Sequence, residues 1–193
     1  MKDFKFVSAN ELNKKQLLQI VDLLMEAEYS GNNTISSSFN ILSSKHEKLQ
    51  TIEPYKQYTT VLMSKDCVVG FFIATTKLET KEVSRNISGW RKDEQELASC
   101  INFYTHEALN NDFILHDIAI DIKYRGRGFF KLLSSRLFEL AKKNNCNRII
   151  FIVRKSNPAV YIYKYYGAKI IGEINSVHIN SNDKLVKYYF TVK

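Results

Sequence analysis

Residues 121 to 133 read DIKYRGRGFFKLL. Two arginines alternate with two glycines, between an apolar run and an amphipathic one, in a chain of 193 residues that has only seven glycines. The chemistry open to this pattern is anion binding. The first turn of a helix has four backbone N–H groups without intrahelical partners, and the helix dipole adds partial positive charge there. Gly126 and Gly128 would let the main chain approach a ligand, and Arg125 and Arg127 supply charged donors that suit phosphate. With the amides of Phe129 and Phe130, this segment reads as a phosphate cradle. A tight strand-to-helix turn with its arginines in solvent is the other reading, and the turn alone leaves both open.

Two common nucleotide motifs fail. No GxxxxGK[ST] stretch is present. The fingerprint GxGxxG needs glycine at position 131, where Lys131 stands, and no acidic residue stands near Cys146 and Asn147. Other residues with chemical potential lie nearby. His116 sits in the apolar run FILHDIAIDI and shares a face with Ile118 and Ile120 by the two-residue period of a strand, with Asp117 opposite. A histidine in a cleft can take a proton near neutral pH; a hydrogen-bonded structural histidine has the same pattern. Asn157 before Pro158 reads as a helix cap. Tyr161, Tyr163, Tyr165 and Tyr166 crowd the adjoining helix. Cys67, Cys100 and Cys146 are scattered, with no CxxC pair, which predicts free thiols in a reducing compartment and no metal site.

The elements that must position these residues show in the periodicities. DFKFVS alternates as a short strand, and Ser8 or Asn10 is placed to cap the first helix. Leu12, Leu17, Ile20, Leu23, Leu24 and Ala27 recur at helical spacing, a polar stretch SGNNTISSSFN comes next, and a helix is predicted over 38 to 50. Residues 58 to 76 read as a hairpin turning at Ser64-Lys65-Asp66. Residues 77 to 111 look like an insertion between strands, with a helix around RKDEQELASCINFY. After the apolar strand and the arginine–glycine turn come the helix KLLSSRLFELAKKNN, the strand NRIIFIVRK, the helix NPAVYIYKYYG, and last strands in AKIIGEI and KLVKYYFTV. The order is that of an α/β fold, expected as a single domain over 1–193. No apolar run reaches the roughly twenty residues of a membrane span, and the N-terminus has no signal-peptide pattern, so a cytoplasmic protein with no membrane partner is expected. The net charge of +8 favours an anionic partner. No recognition helix, zinc finger or RNA-binding aromatic signature is present, so nucleic acid is not the expected partner.

LHDIAIDIKYRGRGFFKLL resembles the acetyl-CoA-binding motif of the GNAT superfamily of N-acetyltransferases, a strand, then Arg/Gln-x-x-Gly-x-Gly/Ala, then a helix. Arg125 and Gly128 match, and Phe130 stands where the family prefers Gly or Ala. SNPAVYIYKYYGAK is similar to the family's Asn-Pro-Ala…Tyr-x-x-x-Gly-Phe helix, with Ala168 after Gly167 in place of the aromatic. The resemblance covers about 112 to 175. It implies a mixed, mostly antiparallel twisted sheet of about seven strands flanked by helices, with splayed central strands near 113–121 and 147–153. It also implies that pantetheine pairs with the strand Ile118–Ala119–Ile120, and that the pyrophosphate rests on amides 125 to 130, with Asn157 near the cofactor. The activity it implies is direct transfer of an acetyl group from acetyl-CoA to an amine. Tyr163, four residues before Gly167, would be the general acid, His116 the base, and the Ile118 amide a donor to the thioester oxygen. The alternative is a catalytically silent acyl-CoA-binding sensor or interaction module of the same fold. The acceptor would be held by residues 26 to 40 and 174 to 184, and a homodimer is the default assembly.

Overall fold

The structure is a computed structural model of the chain, and it describes residues 3–29, 49–50, 52–84, 94–174 and 184–193. Most of the predicted helix over 38 to 50 and most of both acceptor segments lie outside those residues. The strands are β1 (Phe4–Ser8), β2 (Thr59–Ser64), β3 (Cys67–Thr76), β4 (Asp112–Ile120), β5 (Arg148–Arg154), β6 (Lys169–Ile174) and β7 (Leu185–Thr191). The helices are α1 (Lys14–Tyr29), α2 (Lys77–Ser84), α3 (Glu94–Asn102), α4 (Phe129–Lys143) and α5 (Ala159–Tyr165). The strands join in the order β1-β2-β3-β4-β5-β7-β6. Pairings β1–β2, β2–β3, β5–β7 and β6–β7 are antiparallel, whereas β4–β5 is parallel. The sheet is therefore mixed, mostly antiparallel and flanked by helices, as expected. A parallel pair needs a crossover, and α4 supplies it.

The chain forms two compact units, residues 1–74 with 117–137 and residues 75–116 with 138–193. In the first unit, Leu17, Ile20, Leu23 and Leu24 of α1 are buried, which their spacing predicted. Leu12 precedes the helix. The cap is also displaced from the expected residues. Ser8 closes a capping box with Glu11 on a short 3₁₀ turn, Ala9–Glu11. Asn13 caps α1: its Oδ1 accepts from the Gln16 amide at 3.0 Å while Gln16 Oε1 accepts from the Asn13 amide at 3.1 Å. The β2–β3 hairpin turns where predicted, with Lys65 at φ 52°. Its register skips Val69, whose carbonyl accepts from the Asp121 amide at 3.0 Å just past β4. Gly70 beside it has no room for a side chain: a Cβ would lie 2.7 Å from the Ala119 carbonyl oxygen. Glycine thus lets β3 lie against the strand that carries the candidate cofactor residues.

The core of the second unit is aromatic. Phe151 stacks on Tyr188 and Phe190 with centroids 5.5 and 5.2 Å apart. Phe138 of α4 reaches Phe190 at 5.7 Å. The segment between β3 and β4 carries α2, α3 and a π-helical turn, Phe103–Glu107. At the start of the β4–β5 ladder, the fully buried Asp112 carboxylate takes both Nε and Nη2 of Arg148 at 2.7 Å. This bond holds the Arg148 guanidinium's pKa above its ordinary range. Asp112 Oδ2 also accepts from the Leu109 amide at 2.7 Å, so the buried charge is hydrogen-bonded as well as paired.

Candidate active site

The β4–β5 register covers only Asp112↔Arg148, Phe113↔Ile149 and Ile114↔Ile150. Both strands continue, β4 to Ile120 and β5 to Arg154. The ladder stops at its third pair, which is the strand splay expected here. Along the remainder of β4, His116, Ile118 and Ile120 are half-buried and spaced by two, while Ala119 between them is buried.

In the first unit, the chain leaves β4 through a short turn, Ile122–Tyr124, capped by the Asp121 side chain on the Lys123 amide at 2.8 Å. Gly126 and Gly128 then adopt φ of 73° and 81°. A Cβ at either would meet nothing within 4 Å. The glycines are therefore required by backbone angle, not by crowding. Helix α4 starts at Phe129, so the amides of Gly128, Phe129 and Phe130 point out of its N-terminal end. Phe129 is buried against Phe4 and Tyr124, with centroids 4.8 and 5.8 Å away, and anchors the first turn. Phe130 is half-buried and Arg127 exposed. Two donor atoms of Arg125 are held within the protein: Nε donates to the Ile120 carbonyl at 2.9 Å and Nη2 to Glu26 of α1 at 2.8 Å. The sequence held no sign of Glu26, which is 99 positions away.

In the second unit, His116 Nε2 lies 2.8 Å from Thr75 Oγ1 and 3.5 Å from Thr80 Oγ1, and the two buried hydroxyls are 2.6 Å apart. The Tyr104 ring meets the imidazole edge-on at 5.3 Å. These contacts fix the ring's orientation; neither threonine belongs to a pattern visible in the sequence. Tyr163 is 8% exposed, edge-on to Phe151 at 4.9 Å and 6.5 Å from Phe190. Helix α5 ends in a six-to-one bond from the Ala168 amide to the Tyr163 carbonyl at 2.9 Å, with a five-to-two bond from Gly167 to Lys164 at 2.9 Å and Gly167 at φ 86°. The four-residue spacing of Tyr163 and Gly167 is thus the spacing of a helix terminus. Asn157 Oδ1 accepts from the Ala159 amide at 2.9 Å, the expected cap, with Pro158 at the boundary. Tyr161 and Tyr165 are exposed, so of the crowded tyrosines of α5 only Tyr163 is buried among the described residues. Glu107 ends the π-helical turn and pairs with Lys187 at 2.6 Å.

A strand that opens, then left-handed glycines and a helix start, is an arrangement shared by a known family. The family model for GNAT acetyltransferases matches residues 43–168, well over half of the chain. The chain belongs to the GNAT acetyltransferase family. Solved structures with this GNAT fold cover nearly all of the chain. Ard1 from Thermoplasma volcanium superposes with a TM-score of 0.59 at 13% identity, covering 99% of both chains. The ribosomal-protein-S18-alanine N-acetyltransferase from Escherichia coli gives 0.58 at 13% identity, over 98% of this chain and 94% of that one. A chain of the NatC complex bound to Gag peptide and CoA gives 0.61 at 12% identity, over 99% of both. At such identities these likenesses speak for the fold alone. No curated protein sequence matches the chain. GNAT acetyltransferases use acetyl-CoA, and the residues of the arginine–glycine turn fit an anionic ligand by backbone angle and charge. No described helix is long and apolar enough to cross a membrane.

Proposed function

We propose that this chain moves an acetyl group from acetyl-CoA to an amine by direct transfer. The observation that carries the reading is the pair of left-handed glycines, Gly126 and Gly128, between the end of β4 beyond its register with β5 and the N-terminus of α4. Amides there, with Arg125 and Arg127, suit a pyrophosphate. The backbone of Ile118, Ala119 and Ile120 suits an extended amide-bearing chain, which pairs with a strand edge as a peptide does.

In the reaction, the amine nitrogen attacks the thioester carbonyl, the C–N bond forms, and the C–S bond breaks with the electron pair leaving on sulfur. Tyr163 is the proposed donor of a proton to that thiolate, and His116 the acceptor of the proton the amine gives up. The order within α5 supports Tyr163, because its neighbours Tyr161 and Tyr165 point to solvent. The hydroxyls of Thr75 and Thr80 support His116 by holding its ring. The Ile118 amide is the proposed donor to the thioester oxygen, and Asn157 serves the start of α5.

A thiol-release assay with acetyl-CoA against a panel of polyamines, aminoglycosides, amino acids and N-terminal peptides tests the reading. Amine-dependent release with acetylated product supports it. CoA binding by calorimetry without release for any amine would instead favour the silent acyl-CoA-binding module, and no CoA binding would overturn both.

A further inference from the structure

We propose that Tyr104 is a positioning residue that takes β5's amide where β4 leaves it, and so keeps the β4 backbone beyond Ile114 available to the acyl donor. The proposal rests on the functional reading above. A parallel ladder, once begun, tends to extend, because each further pair satisfies more backbone groups. Here it begins firmly, with the Asp112–Arg148 bridge at its first register position, and yet ends at Ile114↔Ile150. Some other group must therefore serve the next backbone donors of β5. Two residues on, the Ile152 amide donates to the Tyr104 hydroxyl at 3.1 Å. An amide has one proton, and given to a phenol it is not given to a strand carbonyl.

The phenol is built into this place. Tyr104 is buried with Phe103 and Ala108 against Ile114 and Ile150, the last paired residues of the two strands, and its ring edge meets His116 on β4. It is carried by the π-helical turn Phe103–Glu107, a rare form that inserts a residue and shifts the face a side chain presents. Lys187 of β7 secures that turn twice, by Glu107 at 2.6 Å and by lying over the Phe103 ring at 4.8 Å. Lys187 is also the register partner of Ile152. The β7 residue opposite the amide thus anchors the turn that brings the amide its acceptor. Without the hydroxyl, Ile152's donor is left to seek the β4 backbone, and donor-competent protein becomes a smaller fraction of the whole.

The test compares wild type with Tyr104→Phe, which keeps the ring and removes the acceptor. The expected result is an unchanged circular dichroism spectrum, CoA affinity weakened about fivefold or more by calorimetry, KM for acetyl-CoA raised in step, and kcat within about twofold. A residue that only held the fold together would instead lower the active fraction, and kcat with it. If wild type binds CoA and folded Tyr104→Phe binds it within twofold as tightly, the role of Tyr104 is overturned while the functional reading stands. If wild type binds no CoA, the functional reading falls and this proposal with it. Should Tyr104→Phe not fold, amide exchange on the wild-type protein decides. Slow exchange at Ile152, unchanged by CoA, supports the phenol as its acceptor, and fast exchange in the free protein overturns it.

Discussion

In the proposed reaction, single side chains divide the chemistry between charge and proton transfer. Replacing Tyr163 by phenylalanine removes one oxygen from an aromatic cluster and leaves the ring contacts with Phe151 and Phe190 intact. The expected outcome in the thiol-release assay is a loss of about a hundredfold or more in kcat, with CoA affinity within about twofold. Retained turnover would remove Tyr163 from the mechanism. Glu26 presents the opposite case. Its carboxylate holds Arg125 at 2.8 Å, so it lies beside the segment proposed to receive an anion. Both side chains are well exposed, so the pair contributes little to stability. Glu26→Gln should therefore tighten CoA binding about two- to fivefold by calorimetry, by lifting a repulsion and releasing guanidinium donors. Weaker binding would instead make Glu26 the group that aims Arg125 at the ligand. Neither partner could be paired from the sequence, since nothing periodic links positions on α1 and on the turn after β4.

At the scale of elements, backbone angles and close approaches matter more than side-chain chemistry. Gly128 has open space around it but φ of 81°. Gly128→Ala should cost about 1–2 kcal/mol in urea unfolding, from the left-handed conformation alone. Gly70 fails for a different reason, its Cβ being 2.7 Å from a main-chain oxygen that cannot move without β4. Gly70→Ala should lower the urea midpoint more than Gly128→Ala, and equal or smaller loss would show that β3 yields easily. The turn glycines were evident in the sequence, because they interrupt an otherwise regular strand–helix pattern. Gly70 was not, because a glycine inside an apolar strand looks the same whether or not another strand crowds it. The caps divide in the same way. Asn157 was legible from its local Asn-Pro pair, whereas Asn13 was passed over for Ser8 and Asn10, which serve an intervening 3₁₀ turn or no helix at all.

Over the whole molecule, burial sets how the protein answers to reagents and to pH. Of the three cysteines Cys67 is exposed, and Cys100 and Cys146 are buried, with burial raising the Cys146 thiol's pKa. Native protein should give one fast-reacting thiol with a disulfide reagent and all three after denaturation; fast reaction of three would show that the cores around Cys100 and Cys146 open readily. Burial also raises the pKa of Tyr188, the fully buried ring beneath Phe151. The unfolded chain's phenol ionises first, near its ordinary pKa of about 10. The stability linked to Tyr188 is thus fully present below that pH and is lost as pH rises toward the folded value. Urea midpoints should fall between about pH 9 and 11, and Tyr188→Phe should flatten that slope. At the acid end, the Lys184 ammonium hydrogen-bonded to Glu173 lowers its carboxyl pKa, so this pair contributes above the ordinary carboxylate range and is lost as pH falls. The pair is exposed, so added salt should erase most of its effect.

Local pattern was enough for much of this chain. The alternation of β4, the helical spacing of α4, the arginine–glycine turn and the capped helix around Tyr163 each lie within a short run of residues, where period and turn chemistry leave a direct trace. These runs pointed to the GNAT fold and to the residues of the candidate site. What folding alone decided is which distant groups meet. Thr75 and Thr80 orient His116, Glu26 takes Arg125, and the hydroxyl of Tyr104 takes the amide of a residue 48 positions away. A hydrogen bond between remote segments depends on register and close packing across the sheet, and neither has a period that a linear chain displays.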